Sequence, residues 1–276
     1  MKKRIFKILA FVFVLCLVVA VSVVVGAFTG NPISKVLAGK TAEKHLAENY
    51  SGTDYGIDGV VYSFKHGYYH AYISSPSSPD SSFTLAISMR GKLIQDYYES
   101  RVTQRGNTAD RIETDYRNAV DAVFGSPDFP YDAHIAFGDI EFIPLEYKDD
   151  PSVPSYAVIT DELILDAVYD VNELGAKAGK LTLYIYDNEV SVQRLADILL
   201  CVRGLFDDAG VKFYAIDCVI EYPKSEDGTK KEGRVEVMDF LYAEIYEDGL
   251  SDRVEASNNA ANDYYNEQDA KKSEVN

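Results

Sequence analysis

Two of the chain's four histidines, His66 and His70, stand four residues apart in FKHGYYHAYISSPSSPDSSF, a stretch that also holds six serines and an aspartate. A zinc protease carries two histidines at i and i+4 on one helix face with a glutamate beside the first. Here Gly67 takes the glutamate's place and HGYYH contains no acid. In a strand the four-residue step separates the two Cα atoms by ~13 Å, too far to share an ion bound at ~2 Å. A turn at His66-Gly67 supplies no helical face either. The serines need a base and an oxyanion hole to act as nucleophiles, and neither G-x-S-x-G nor S-x-x-K occurs in the chain. Two prolines and an aspartate among them are turn chemistry. His66 therefore reads as a turn, His70 as a strand wall and the serines as a loop between strands.

The other candidates are weaker. DYGIDG places Asp54, Asp58 and Gly59 like the start of a calcium loop, but Lys65 stands where the bidentate glutamate belongs. His45 reads as a solvated helix residue, and His134 opens a strand with no second ligand near it. Phosphate-binding loops, dinucleotide glycine motifs and paired cysteine motifs are absent. No catalytic, metal or cofactor-binding residue is assigned. Glycosidase-type carboxylates stay open, because their signal is spatial rather than sequential.

The 276 residues carry a net charge of −17. Phosphate recognition needs clustered Lys and Arg, so no nucleic-acid partner is expected. Lys2, Lys3, Arg4 and Lys7 precede a charge-free run from Ile8 to Phe28. As a helix that run is ~31 Å long, the thickness of a bilayer core. It predicts an uncleaved anchor over 1–29 that contacts the membrane through 8–28, with the N-terminus cytoplasmic and the remainder extracytoplasmic. Cleavage after Ala27, giving a secreted soluble protein, is the alternative. Cys201 and Cys218 fall on a predicted helix and the strand after it, and are expected as buried free thiols rather than a disulfide.

Elements must position whatever site exists. Twenty-one tyrosines and 13 phenylalanines with no tryptophan suit aromatic strand packing. A helix begins at Pro32 with a stripe of Val36, Gly39, Ala42, Leu46 and Tyr50. Short segments over 59–98 read as an antiparallel meander. NTADRIETDYRNAVDAVFGS reads as a helix capped at Thr108 or Asp110, and HIAFGDIEFI as a strand returning to that meander. PLEYKDDPSVPS interrupts every periodic pattern and reads as a linker. Beyond it come a short helix from Asp170, a strand over KLTLYIYD, the apolar helix of Val192, Leu195, Leu199, Val202 and Phe206, and a hairpin with the charged tip PKSEDGTKKE. The predicted architecture is α+β: a transmembrane helix, then two small domains over 30–150 and 151–266, each an antiparallel sheet with helices packed on it, and a disordered tail over 267–276.

From His45 to Ile87, the helix ending at Tyr50, the aromatic hairpin and SSPSSPDSSFTL resemble the YfjL-like family of uncharacterised Gram-positive membrane proteins, with a looser likeness to DUF3139 proteins. YDVNELGAKAGKLTLYIYD (169–187) is similar to the opening of that family's C-terminal domain. The resemblance implies two α+β domains and lends no catalytic residue. The resulting expectation is a non-enzymatic binding or interaction module. Its contact surface would be Tyr68, Tyr69, Tyr72, Tyr97 and Tyr98, and its partner another membrane or surface protein. A surface hydrolase using dispersed carboxylates is the alternative.

Overall fold

A computed structural model describes residues 2–224 and 231–274. The chain divides into two units, Met1–Thr108 with Ile164–Asp166, and Ala109–Leu163 with Ala167–Asn276. The proline-rich stretch 144–155, expected as the linker, lies inside the second unit. The division falls instead at Thr108.

In the first unit, α1 (Lys2–Thr29) and α2 (Pro32–Asn49) are separated by Gly30 and Asn31. The Asn31 side chain caps α2 by accepting from the Ser34 amide, and Pro32 occupies the first turn, where its missing N–H costs nothing. Among the described residues no helix is long and apolar enough to cross a membrane. This corrects the transmembrane helix over 8–28 and the single-pass, cell-membrane placement drawn from it.

Four antiparallel strands follow in the order β1 (Gly56–Ser63), β2 (Tyr68–Ser75), β3 (Ser78–Ser88) and β4 (Leu93–Asp96). Strand alternation sends Tyr69, Ala71 and Ile73 of β2 and Phe83, Leu85 and Ile87 of β3 to the face covered by α2. From α2 the buried residues are Ser34, Ala38 and Ala42, so the helix presents its small residues to the sheet while Val36 of the expected stripe lies exposed. Ser75 pairs with Ser78. The serine stretch is therefore strand on both sides of a two-residue turn, not the loop expected. Asp80 is buried, and its carboxylate and amide bond reciprocally with the amide and carboxylate of Asp166. That exchange ties 164–166 to this unit.

The second unit begins within α3 (Gly106–Phe124), where the expected cap Thr108 lies inside the helix. Its stripe of Ile112, Tyr116, Val120 and Val123 packs in the larger core. β5 (Asp132–Ile140) joins the sheet of this unit and not the meander, which corrects the expectation that helix and strand complete the N-terminal domain. Gly138 is the reason the fit is close, since a Cβ there would meet Leu181 at 2.9 Å and Val120 at 2.9 Å. A two-strand parallel ribbon of β6 (Phe142–Ile143) and β7 (Val158–Ile159) precedes α4 (Val171–Ala178), which Asp170 caps. β8 (Gly179–Tyr186), α5 (Val192–Ala209) and β9 (Ala215–Glu221) form a βαβ crossover, and β10 (Arg234–Leu241) returns antiparallel to β9. The sheet order is β10-β9-β8-β5, with β8 and β9 parallel. It is thus mixed rather than antiparallel, because an 18-residue helix between two strands returns the chain in the same direction. The hairpin tip expected over 223–232 lies largely outside the described residues. α6 (Leu250–Glu274) buries Leu250 and Val254 and is helical as far as Glu274, within the segment 267–276 expected to be disordered. Cys218 is buried and Cys201 partly so, both as free thiols.

Two glycines test this packing in opposite directions. A Cβ on Gly175 would collide with the Lys212 carbonyl and with Tyr116 at 2.7 Å, whereas one on exposed Gly204, inside α5, would meet nothing within 4 Å. Gly175→Ala is expected to lower unfolding free energy by about 1–3 kcal/mol through overpacking. Gly204→Ala is expected to raise it by about 0.5–1 kcal/mol, both read from urea denaturation.

Candidate functional site

The side of β2 that turns away from α2 carries Tyr68, His70 and Tyr72, and His66 sits in the preceding turn. Gly67 supports that turn at φ +72°, with its amide donating to the Ser63 carbonyl at 2.8 Å. The four rings form a ladder. His66 stacks on Tyr68 at 5.3 Å between centroids, Tyr68 meets His70 at 5.0 Å, and His70 stacks on Tyr72 at 6.2 Å. The two imidazoles lie 5.9 Å apart edge to face. The strand's rise alone therefore misjudges them, because the turn curls His66 back over the strand. Among the described residues no group of three metal-ligating side chains forms.

A β-bulge completes the face. Ile57 pairs with Ile73 and Gly59 with Tyr72, which leaves Asp58 as the extra residue. A bulge re-aims a side chain, and this one puts Asp58 on the outer side, where its carboxylate accepts from the Ser74 hydroxyl at 2.9 Å. Tyr97 follows β4, with its amide on the Thr84 carbonyl at 3.1 Å. A π-turn over Glu99–Thr103 then presents Ser100 and Arg101. The Arg101 Nε donates to Asn107 at 2.9 Å, and Asn107 in turn donates to the Asp80 and Ser82 carbonyls of β3 at 2.7 and 2.6 Å. Together these groups line an open groove of about 690 Å³ that includes Asp58, His70, Tyr72, Thr84, Tyr97 and Arg101.

The five tyrosines expected to share a contact surface divide by face. Tyr68, Tyr72 and Tyr97 belong to the outer side, and Tyr72 is 45% exposed. Tyr69 is only 1% exposed, and its hydroxyl accepts from the Asn31 amide and donates to the Asn31 carbonyl, each at 2.8 Å. Tyr98 packs on Tyr50 and Phe83 at 4.8 and 5.2 Å. Period-2 alternation forbids neighbours on one strand from sharing a face. Sequence reasoning missed Asp58, Arg101 and Asn107 as groove residues, since a bulge and a π-turn leave no periodic signal. His45, expected at the surface, is bonded to Asp96 at 2.7 Å, as is the Tyr50 hydroxyl. His134 stacks on Tyr186 at 4.0 Å.

Electrostatically, burial, and then the neighbouring His66, hold His70 below the ordinary imidazole value. Burial and Tyr97 push the Tyr68 phenol up. Ser63 Oγ lies 3.1 Å from His66 Nδ1, a serine–histidine contact on the exposed turn and outside the groove lining. A triad needs a third group to orient the base, whereas the ring neighbours of His66 are Tyr68 and His70.

The second unit holds a separate polar cluster. Lys180 reaches Asp217 at 3.0 Å and Asp239 at 2.7 Å, and the Tyr156 hydroxyl donates to Asp239 at 2.9 Å. The Asp239 amide donates to Asp217 at 2.7 Å, which closes the bulge in β10 where Asp239 adopts φ 47°. Burial pushes the Asp217 and Glu141 carboxyls up. Both aspartates of this cluster are bonded to Lys180, Asp239 also to Tyr156 and Asp217 to the Asp239 amide, so it acts as a strut across the sheet.

These features define a two-part α+β protein with an aromatic, polar groove on one sheet. The sequence matches the YfjL-like N-terminal domain over residues 2–98 and the YfjL-like C-terminal domain over residues 115–255. The chain belongs to the YfjL-like family, whose function is uncharacterised. Comparison with curated proteins gave no match. A crystal structure of a DUF5037 family protein from Ruminococcus gnavus is similar over 66% of this chain and 73% of that one, at 13% identity and a TM-score of 0.19.

An imidazole held below its unfolded value binds fewer protons in the folded chain than in the unfolded one. The stability it contributes is present above about pH 6.5 and is lost as pH falls through and below that value. Between about pH 7.5 and 5.5 the melting temperature of His70→Gln is expected to drop less than that of the wild type. Equal drops would show that His70 titrates as it does in the unfolded chain.

Proposed function

We propose that this chain is a non-enzymatic binding protein whose contact surface is the outer face of the β1–β4 sheet. The observation that carries this reading is the open groove in which Tyr72, Tyr97 and His70 lie beside Asp58. Interface cores are enriched in aromatic residues, which contribute large area at little conformational cost. An aromatic row on a sheet face that α2 leaves uncovered has that composition. The groove brings several hydrogen-bonding side chains to the same place, as orienting groups in binding sites do.

The reading is tested by placing a photo-crosslinking residue at Tyr72 and, as control, at Tyr246, an exposed tyrosine of the second unit. In cells producing the full chain, a discrete adduct is expected from position 72 and none from position 246. Tyr97→Ala should reduce the adduct several-fold. Equal yields from both positions would refute the assignment.

A further inference from the structure

We propose that the edge strand β1, over Gly59–Ser63, receives an extended segment of a protein partner as a fifth strand of its sheet. The segment carries apolar residues that enter a groove beside the strand and acids that reach Lys35 and Lys65. This edge is a second contact, distinct from the outer face assigned above, and does not depend on it.

An edge strand offers its outward backbone groups to any extended chain, and proteins blunt such edges with charge, proline, bulges or a covering element. Three of the four edges of the two four-stranded sheets are treated in that way. α6 meets β10, where the Glu236 amide donates to the Asn258 side chain at 3.0 Å. β5 carries Asp132 and Asp139 and shifts register between Ala133 and Ile135. β4 spans four residues and ends on Asp96. β1 differs. Its bulge ends at Gly59, and from there to Ser63 it pairs regularly with β2 through GVVYS, which has neither a charge nor a proline.

A groove of about 480 Å³ lies beside that edge, lined by Val60 and Tyr62 from the strand and by Phe28, Pro32 and Lys35 from the α1–α2 junction. Exposed Phe64 stands 6.3 Å from Phe28, ring to ring. Strand addition draws affinity from main-chain bonds and specificity from pockets for alternate side chains, and β1 with this groove supplies both. The charge around it is positive. The Ser63–Tyr68–Ser88 register sets the β1–β2 and β3–β4 turns at one end of the sheet, and the Thr41 hydroxyl donates to the Gly91 carbonyl at 2.6 Å, which brings α2 to the same end. Residues 28–42, 60–70 and 86–94, which build this end, include Lys35, Lys40, Lys65, Arg90 and Lys92, all exposed, and no acid. Asp54, Asp58, Asp80 and Asp96 fall toward the opposite ends of the strands. Charges are screened over about 8 Å at physiological salt, so these cations, and not the chain's net −17, set the sign that a ligand meets here. Anionic lipid or nucleic acid would meet the cations alone, whereas an acidic polypeptide also bonds the β1 backbone.

The test uses the full chain and a fluorescent Thr-Glu-Val-Glu-Val-Glu-Thr peptide, with its lysine counterpart and a version whose backbone amides are N-methylated as probes. The N-methylated peptide keeps the charges but cannot donate to an edge, and it should bind at least about 10-fold more weakly. Lys35→Glu should weaken the glutamate peptide by about 3–10-fold, and Lys148→Glu, at an exposed lysine of the second unit, should leave it within about twofold. The lysine peptide should bind more weakly than the glutamate one. The proposal is overturned by equal binding of the N-methylated and parent peptides, by a lysine peptide as tight as the glutamate one, by equal losses from Lys35→Glu and Lys148→Glu, or by no binding of the glutamate peptide up to about 1 mM. A dimer that the peptide dissociates, or phosphatidylglycerol vesicles that bind the wild type and not Lys35→Glu, would give the surface to a second copy or to lipid and overturn it as well.

Discussion

Tyr69 decides which side of the first sheet is core. Its ring is buried, and its hydroxyl closes two hydrogen bonds with the backbone of Asn31, the residue that also caps α2. A buried hydroxyl without partners would cost about 1–3 kcal/mol, so the bonds hold the start of α2 against β2 in one register. Once Tyr69 is inside, alternation puts Ala71 and Ile73 inside with it and leaves Tyr68, His70 and Tyr72 outside. A slip of one residue would bury the histidine and expose the isoleucine. The groove is therefore a consequence of where a single tyrosine hydroxyl finds its partners.

Irregular backbone then converts that face into a site. A flat meander would display only the ladder of rings. The bulge between Ile57 and Gly59 turns Asp58 outward, and the π-turn after Tyr98 brings Ser100 and Arg101 to the same side. Both are departures from regular pairing of the kind that accumulates at functional positions. Asn107 fastens the arginine to β3, so the positive charge is part of the wall.

The second unit follows a different logic. Its core is mostly aliphatic, built on the α5 stripe and the inner faces of β8 and β9, with Tyr116, Phe206 and Phe213 buried among them. Polar residues on the sheet are drawn into mutual bonds, as Lys180, Asp217 and Asp239 show. Burial raises the Asp217 carboxyl, yet it stays anchored by an amide and a lysine. Such a buried ion pair adds orientation more surely than it adds stability. Here it holds the bulged edge strand in place.

Local chemistry was enough for the helices with clear caps and stripes. Asp170 caps α4, Gly210 ends α5 in the left-handed conformation, and the apolar alternation of β8 marks a strand. Family membership was legible in aromatic placement and strand order for the same reason. Partners distant in sequence were not. Whether β5 pairs with the meander or with β8 depends on the room Gly138 leaves for Leu181, and whether β8 and β9 run parallel depends on where α5 packs. The charge-free run of 8–28 read as a membrane span from its length, but no described helix is long and apolar enough to make one. The candidate site shows the division most sharply. Residue types and period-2 alternation place Tyr68, His70 and Tyr72 together, because that repeat is a property of any strand. Only the tertiary structure could choose the exposed side and add Asp58, Arg101 and Asn107, because bulges, turns and long-range hydrogen bonds are set by the packing of the whole unit.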